Sequence, residues 1–267
     1  MSHAEHPPYL QHHFETPEQQ FDAGKIGIWL FLATEILLFG GLFCAYAIYR
    51  ANHPEIFVYA HQFLDKTLGG TNTVILLCSS LTMAWAVRAS QLGQKKLLIL
   101  LLSLTLLGGF GFMGIKFVEY QQKWKHGLLP GAHFAPHEEG HDAVAAVAAK
   151  PTPPVSVGAA HRTTIPASAE GPGGTVPPAS ADLSLREGPT RRPNNVQVFF
   201  SIYFLMTGLH GLHVLVGMIA IGWVLVRSAR GHFGPEYYTP VDFVGLYWHL
   251  VDLIWIFLFP LLYLIGT

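Results

Sequence analysis

The chain alternates long apolar stretches with short polar ones, and a single long polar stretch divides them three and two. The first apolar run, from about Lys25 to Tyr49, is bracketed by Lys25 and Arg50, with Trp29 near one end and Tyr46 and Tyr49 near the other. Aromatic rings at such places suit membrane interfaces. Asn52 to Asp65 is a polar loop with turn signals. A second run covers about Leu68 to Val87, with Ser79, Ser80 and Thr82 as polar glue, and a third about Leu97 to Val118. Gly108, Gly109, Gly111 and Gly114 in the third would admit a close neighbouring helix. Lys116 and Glu119 lie three apart at its end and can pair on one helix face. The fourth run is Val196 to Val226. The fifth begins at Thr239-Pro-Val-Asp242, a capping Thr followed by Pro at the first helical position, and continues to about Ile265.

Each run is long enough to cross the roughly 30 Å hydrocarbon layer as a helix. The pattern predicts an all-α, polytopic membrane bundle of five transmembrane helices with a long outside linker. Its parts are a polar tail (1–24), helices one to three (25–122), a Pro/Ala/Gly-rich linker (123–195) and helices four and five (196–267). The linker composition cannot bury enough apolar surface to offset chain entropy, which predicts mobility.

Composition agrees. Of 267 residues, 51% are apolar and only 12% charged, against about a quarter charged in soluble domains. Mean hydropathy is +0.35. A net charge of −1 removes the basic surface that nucleic-acid binding needs. Cys44 and Cys78 lie within apolar runs and read as small buried hydrophobes. No basic region followed by a short apolar core opens the chain, so no signal peptide is read. Charge on the short loops favours an inside N-terminus.

Against this background, ionisable groups inside the runs stand out: Glu35, His210, His213, His249 and Asp252. At 1.5 Å rise per residue all five fall within roughly 6 Å of the midplane. Such groups are costly in hydrocarbon unless they are paired or face a protein interior. His210 and His213 share one helix face, as do His249 and Asp252. The economical arrangement is a hydrogen-bonded cluster across three helices, flanked by Trp248 and Trp255. Spacing alone leaves three roles open: a structural cluster, a metal or haem site built on His-x-x-His and His-x-x-Asp, and a proton relay. His137-Glu-Glu-Gly-His141 matches a zinc-protease pattern, but Pro136 precedes it, Gly140 lies inside it and low-complexity sequence surrounds it. The tail histidines His3, His6, His12 and His13 read as solvated.

The residues resemble subunit III of haem-copper terminal oxidases, the cytochrome c oxidase type. The resemblance rests on Ala33-Thr-Glu35 with Phe39 and Phe43, Asn72 with Leu76-Leu-Cys-Ser-Ser80, and Glu119-Tyr120. It rests above all on Thr207-Gly-Leu-His-Gly-Leu-His-Val214 and on Tyr247-Trp-His-Leu-Val-Asp252 with Trp255. Glu35 falls on that family's carbodiimide-reactive intramembrane glutamate. The resemblance implies a non-catalytic subunit that docks on catalytic subunit I and other oxidase subunits, sustains turnover and supports proton uptake. It implies no haem or copper in this chain, with both in partner subunits, and structural phospholipid as a further ligand. It makes the five-residue cluster structural.

It also implies a bacterial plasma-membrane, multi-pass protein with a cytoplasmic N-terminus. The mitochondrial form has seven spans, and this chain matches its last five. The two further helices would come from a companion subunit. Alternatives are the third subunit of a quinol oxidase, an accessory protein of nitric oxide reductase, or a stand-alone metal or haem redox protein.

Overall fold

A computed structural model describes residues 10–60, 64–125 and 195–264. Among these residues there are six helices and no strand: α1 (Pro17–Asn52), α2 (Pro54–Ala60), α3 (Lys66–Gln91), α4 (Lys95–Lys125), α5 (Val196–Ala229) and α6 (Thr239–Tyr263). All but α2 are long and apolar enough to span a bilayer. The chain is thus an all-α membrane bundle. The linker and the His137–His141 motif lie outside the described residues, as do His3 and His6, while His12 and His13 are exposed.

Helix α1 starts eight residues before Lys25 and takes in part of the stretch read as tail. Thr16 caps it, its Oγ1 accepting from the Gln19 amide at 3.2 Å, with Pro17 and Glu18 in the first turn. The local signal equals the one at Thr239-Pro240, but the polar residues after it hid the continuation. The loop after α1 contains α2, whose Ile56, Phe57 and Ala60 are buried. Phe57 sets its ring edge-on against Tyr46 and Phe199, both at 5.1 Å.

Helices α3 and α4 form a hairpin. Gly93 at its turn has φ 68°, a left-handed conformation that glycine adopts without penalty. The turn closes with hydrogen bonds from the Gly93 amide to the Ser90 carbonyl and from the Gln94 amide to the Ala89 carbonyl. Helix α6 packs on α1, α3 and α5, and α4 on α3 and α5. Because lipid is as apolar as leucine, this packing depends on close van der Waals fit. Trp248 shows the principle. It is wholly buried, and a Cβ on Gly217 would lie 2.8 Å from its ring and one on Gly109 3.1 Å from it. Two glycines therefore make the slot that holds one indole. Gly108 likewise admits Ser79, whereas Gly114 meets no neighbour.

Helix α1 is held differently. Only Leu32, Phe39 and Tyr46 are buried along it, seven residues apart. This is a narrow seam, and Leu37 at 75% exposure lies off it. Tyr46 is therefore a core residue rather than an interfacial one, its hydroxyl donating to the Leu261 carbonyl. Cys44 and Cys78 are free and lie on the outer surface of the bundle, not in its core. In a bilayer an outward position is still apolar, so burial could not be inferred from hydropathy.

Candidate functional site: polar centres inside the bundle

The expected cluster resolves into separate parts. Glu35 on α1 meets His213 on α5, with Oε2 and Nε2 2.8 Å apart. His213 Nδ1 lies 2.8 Å from the Leu209 carbonyl oxygen, which can only accept, so Nδ1 carries a proton. One further proton joins Nε2 to the carboxyl. Phe39 sets its ring edge-on to the imidazole at 5.2 Å, and the Tyr247 hydroxyl donates to the His213 carbonyl at 3.1 Å. The pair thus reinforces the α1 seam with a bond to α5.

His249 on α6 pairs elsewhere. Its Nδ1 lies 2.7 Å from Ser80 Oγ on α3. Ser80 also faces Asp252 without closing a hydrogen bond to it. Beside this contact, Trp248 Nε1 donates to Ser79 Oγ at 3.0 Å and Trp255 Nε1 to Thr73 Oγ1 at 3.1 Å. Thr82 Oγ1 lies 2.8 Å from Thr105 Oγ1 on α4. The serines and threonines of α3 are the glue expected of them.

His210 and Asp252 do not join a shared network. Both are buried, and among the described residues neither imidazole nitrogen nor carboxyl oxygen has a hydrogen-bond partner; Asn72 is alike. His210 instead packs between rings, 5.2 Å from Trp255 and 5.5 Å from Phe112. Spacing placed the five residues at one depth, but each helix turns its groups toward a different neighbour. Among the described residues no three His, Cys, Asp or Glu side chains converge as a metal-binding group.

The densest polar centre lies nearer the end of the bundle where α4 and α6 finish. Glu119 on α4 accepts from Lys116 Nζ at 2.8 Å through Oε2. Its Oε1 accepts from Lys123 Nζ at 2.6 Å, from the Tyr203 hydroxyl of α5 at 2.8 Å and from the Tyr263 hydroxyl of α6 at 2.6 Å. Lys116 donates to Tyr263 at 2.7 Å and Lys123 to Tyr203. Each phenol thus accepts from one lysine and donates to the carboxylate. Lys116 also lies 4.4 Å from the Trp255 ring centroid and Lys123 3.8 Å from that of Tyr203, both within cation–π range.

All three charged side chains are at most 8% exposed. Two ammonium groups face one carboxylate, so ionisation of all three leaves one positive charge in excess. The centre lies close to the C-terminal ends of α4 and α6, whose carbonyls favour cations. Alongside, the Tyr120 hydroxyl meets Thr207 Oγ1 at 2.6 Å, and Thr207 donates to the Tyr203 carbonyl at 2.7 Å.

Comparison with known proteins fits this arrangement. The family model "Cytochrome c oxidase subunit III" matches residues 195–267, the stretch holding His210, His213, His249 and Asp252. Along its whole length the chain is 26% identical to quinol oxidase subunit 3 of Bacillus subtilis, covering 98% of that protein. It is 27% identical to cytochrome c oxidase subunit 3 of the same organism over 94% of this chain and 92% of the relative. These similarities support the subunit III family of haem-copper terminal oxidases. Cytochrome c oxidase subunit 3 of Tetraodon nigroviridis is 26% identical over 97% of this chain but only 75% of its own length, so a quarter of it has no counterpart here.

Those relatives are oxidase subunits by name, and this chain shares with them a polytopic membrane bundle's five long apolar helices among its described residues. Several positions that carried the resemblance bond one helix to another. Glu35 grips α5, Tyr247 backs His213, Trp255 lies under Lys116, and Glu119-Tyr120 anchors α4 to α5. Of the ionic centre, the Lys116–Glu119 contact was legible in the spacing, and Lys123 extends the same face by one turn. Tyr203 and Tyr263 gave no signal, because their meeting depends on the register of two other helices.

Proposed function

We propose that the chain is the non-catalytic subunit III of an aerobic cytochrome c oxidase, stabilising catalytic subunit I and supporting proton uptake during oxygen reduction. The observation that carries this reading is where the polar side chains go. Glu35, His213, His249 and the Glu119 centre are bonded to side chains or carbonyls of this chain itself, and the Glu35–His213, Ser80–His249 and Tyr263–Glu119 contacts each tie one helix to another. Groups committed in this way hold helices in register. The five intramembrane groups Glu35, His210, His213, His249 and Asp252 are read as structural, with haem and copper in partner subunits. The short-loop charge supports a cytoplasmic N-terminus in a bacterial plasma membrane, with the long linker outside.

A quinol oxidase is the second reading, favoured by the full-length similarity to a quinol oxidase subunit 3. Purification in mild detergent, identification of the copurifying catalytic subunit, and assay with reduced cytochrome c and with quinol separate the two. Oxidation of cytochrome c supports the first reading; quinol oxidation alone transfers the chain to the second. Copurification with neither kind of oxidase overturns both.

A further inference from the structure

Between α4 and α5 the bundle carries a slot of about 320 Å³ that opens on its outer surface. Gly208 and Gly211 form its floor, and Met113, Phe117, Leu212 and Leu215 its walls. A Cβ built on either glycine would meet no atom within 4 Å, so the floor is open rather than packed. Phe117 and Leu212, 64% and 56% exposed, stand at the rim. From Met113 to Tyr120 the slot runs roughly 10 Å at the helical rise. Its apolar end lies toward the middle of α4. Tyr120 and Thr207 close the other end, toward the finish of α4 and the start of α5.

The polar end offers an acceptor and no donor. Thr207 Oγ1 gives its one proton to the Tyr203 carbonyl at 2.7 Å. Tyr120, 2.6 Å from Thr207 Oγ1, therefore donates to it. The Tyr120 oxygen keeps a lone pair with no other partner among the described residues. Lys116 also lines the slot, but its ammonium is committed to Glu119 at 2.8 Å, to Tyr263 at 2.7 Å and to the face of Trp255. A phosphate or carboxylate would find no free donor there. The slot suits an apolar, slender ligand that donates one hydroxyl hydrogen bond. An aromatic ring fits Phe117 and the Met113 thioether. We propose that the slot binds the ring of a membrane-dissolved isoprenoid quinol, with its hydroxyl donating to the Tyr120 oxygen and its tail leaving past Met113 into hydrocarbon. A partner helix, about 10 Å across, would ride on Phe117 and Leu212 without reaching the glycines. A polycyclic alcohol is a rigid body longer than the slot. The inference rests on the bundle itself and not on which oxidase the chain serves.

The test uses the full chain purified alone in mixed micelles under argon, where no catalytic subunit is present to oxidise the ligand. The probes are a naphthoquinol with two isoprene units, its dimethyl ether and its quinone; the last two cannot donate. Native mass spectrometry reads binding across ligand concentration. The quinol should bind about three- to tenfold more tightly than either, the worth of one hydrogen bond. Gly211→Leu fills the slot from its open floor and should weaken binding of all three by about tenfold or more, with the unfolding midpoint unchanged. Tyr120→Phe should bring the quinol down to the affinity of its ether and leave the ether where it was. Equal affinity for quinol and ether in wild type overturns the proposal, and so does undiminished quinol binding in Gly211→Leu. Binding of a polycyclic alcohol where the quinol does not bind overturns it as well. So does a Gly211→Leu complex that sheds a subunit when the wild-type chain binds no quinol, which would assign the slot to a partner helix.

Discussion

Replacing Glu119 by Gln tests what holds the bundle together. The carboxylate takes four hydrogen bonds from three helices and is the counter-charge for two buried ammonium groups. Glutamine fills the same volume but brings no charge, and its amide nitrogen turns a donor toward donors. Removing one partner of a buried ion pair costs about 3–5 kcal/mol, because the remaining charge is left unpaired. The side chains are nearly fully buried, so solvent screening relieves little of this. The measurement is equilibrium unfolding of the full chain in mixed micelles, followed by circular dichroism. A second variant separates charge compensation from packing. Glu119→Leu with Lys116→Met and Lys123→Met removes all three charges and leaves Tyr203 and Tyr263, 3.0 Å apart, to bond to each other. Replacing a whole buried ionic group by apolar residues is often neutral or stabilising. The triple variant should therefore be more stable than Glu119→Gln. If Glu119→Gln lies within about 1 kcal/mol of wild type, or the triple variant is the weaker, the compensation argument fails.

Other consequences are as direct. Gly217→Leu drives a side chain into the Trp248 ring, so overpacking should lower stability by about 1–3 kcal/mol in the same unfolding assay. His213→Leu removes the bond to Glu35 and should cost about 1–3 kcal/mol, loosening α1 first, read as faster cleavage or labelling along α1. Asp252→Leu should be neutral or stabilising, since neither carboxyl oxygen holds a hydrogen bond among the described residues; a large loss of stability would show that Asp252 has a partner in the assembled complex. The purified chain should carry no stoichiometric haem, copper or iron, and a Soret band at one haem per chain would refute the structural reading of the histidines.

The spans were legible because twenty apolar residues have one physical use in a bilayer. Their internal faces were not. A helix apolar all round shows no periodicity, so the Leu32–Phe39–Tyr46 seam could not be told from lipid-facing positions such as Leu37. The five intramembrane polar groups were visible against hydrocarbon, and so was the Lys116–Glu119 spacing. Which groups meet was not visible, because pairing across antiparallel helices depends on register. Glu35 found His213, but His249 found Ser80, and His210 found only rings. Helix α2 was hidden because seven residues beginning at a proline look like a turn until Phe57 is seen buried beneath Tyr46.

The central claim is that these polar groups maintain a subunit and take no part in the chemistry. Oxygen consumption by the assembled complex, followed from the first turnovers until activity decays, tests it with wild type and His213→Leu at matched subunit content. The account predicts the same initial rate per catalytic subunit and an earlier decay in the variant. Loss of the initial rate in a variant complex that remains assembled would contradict it.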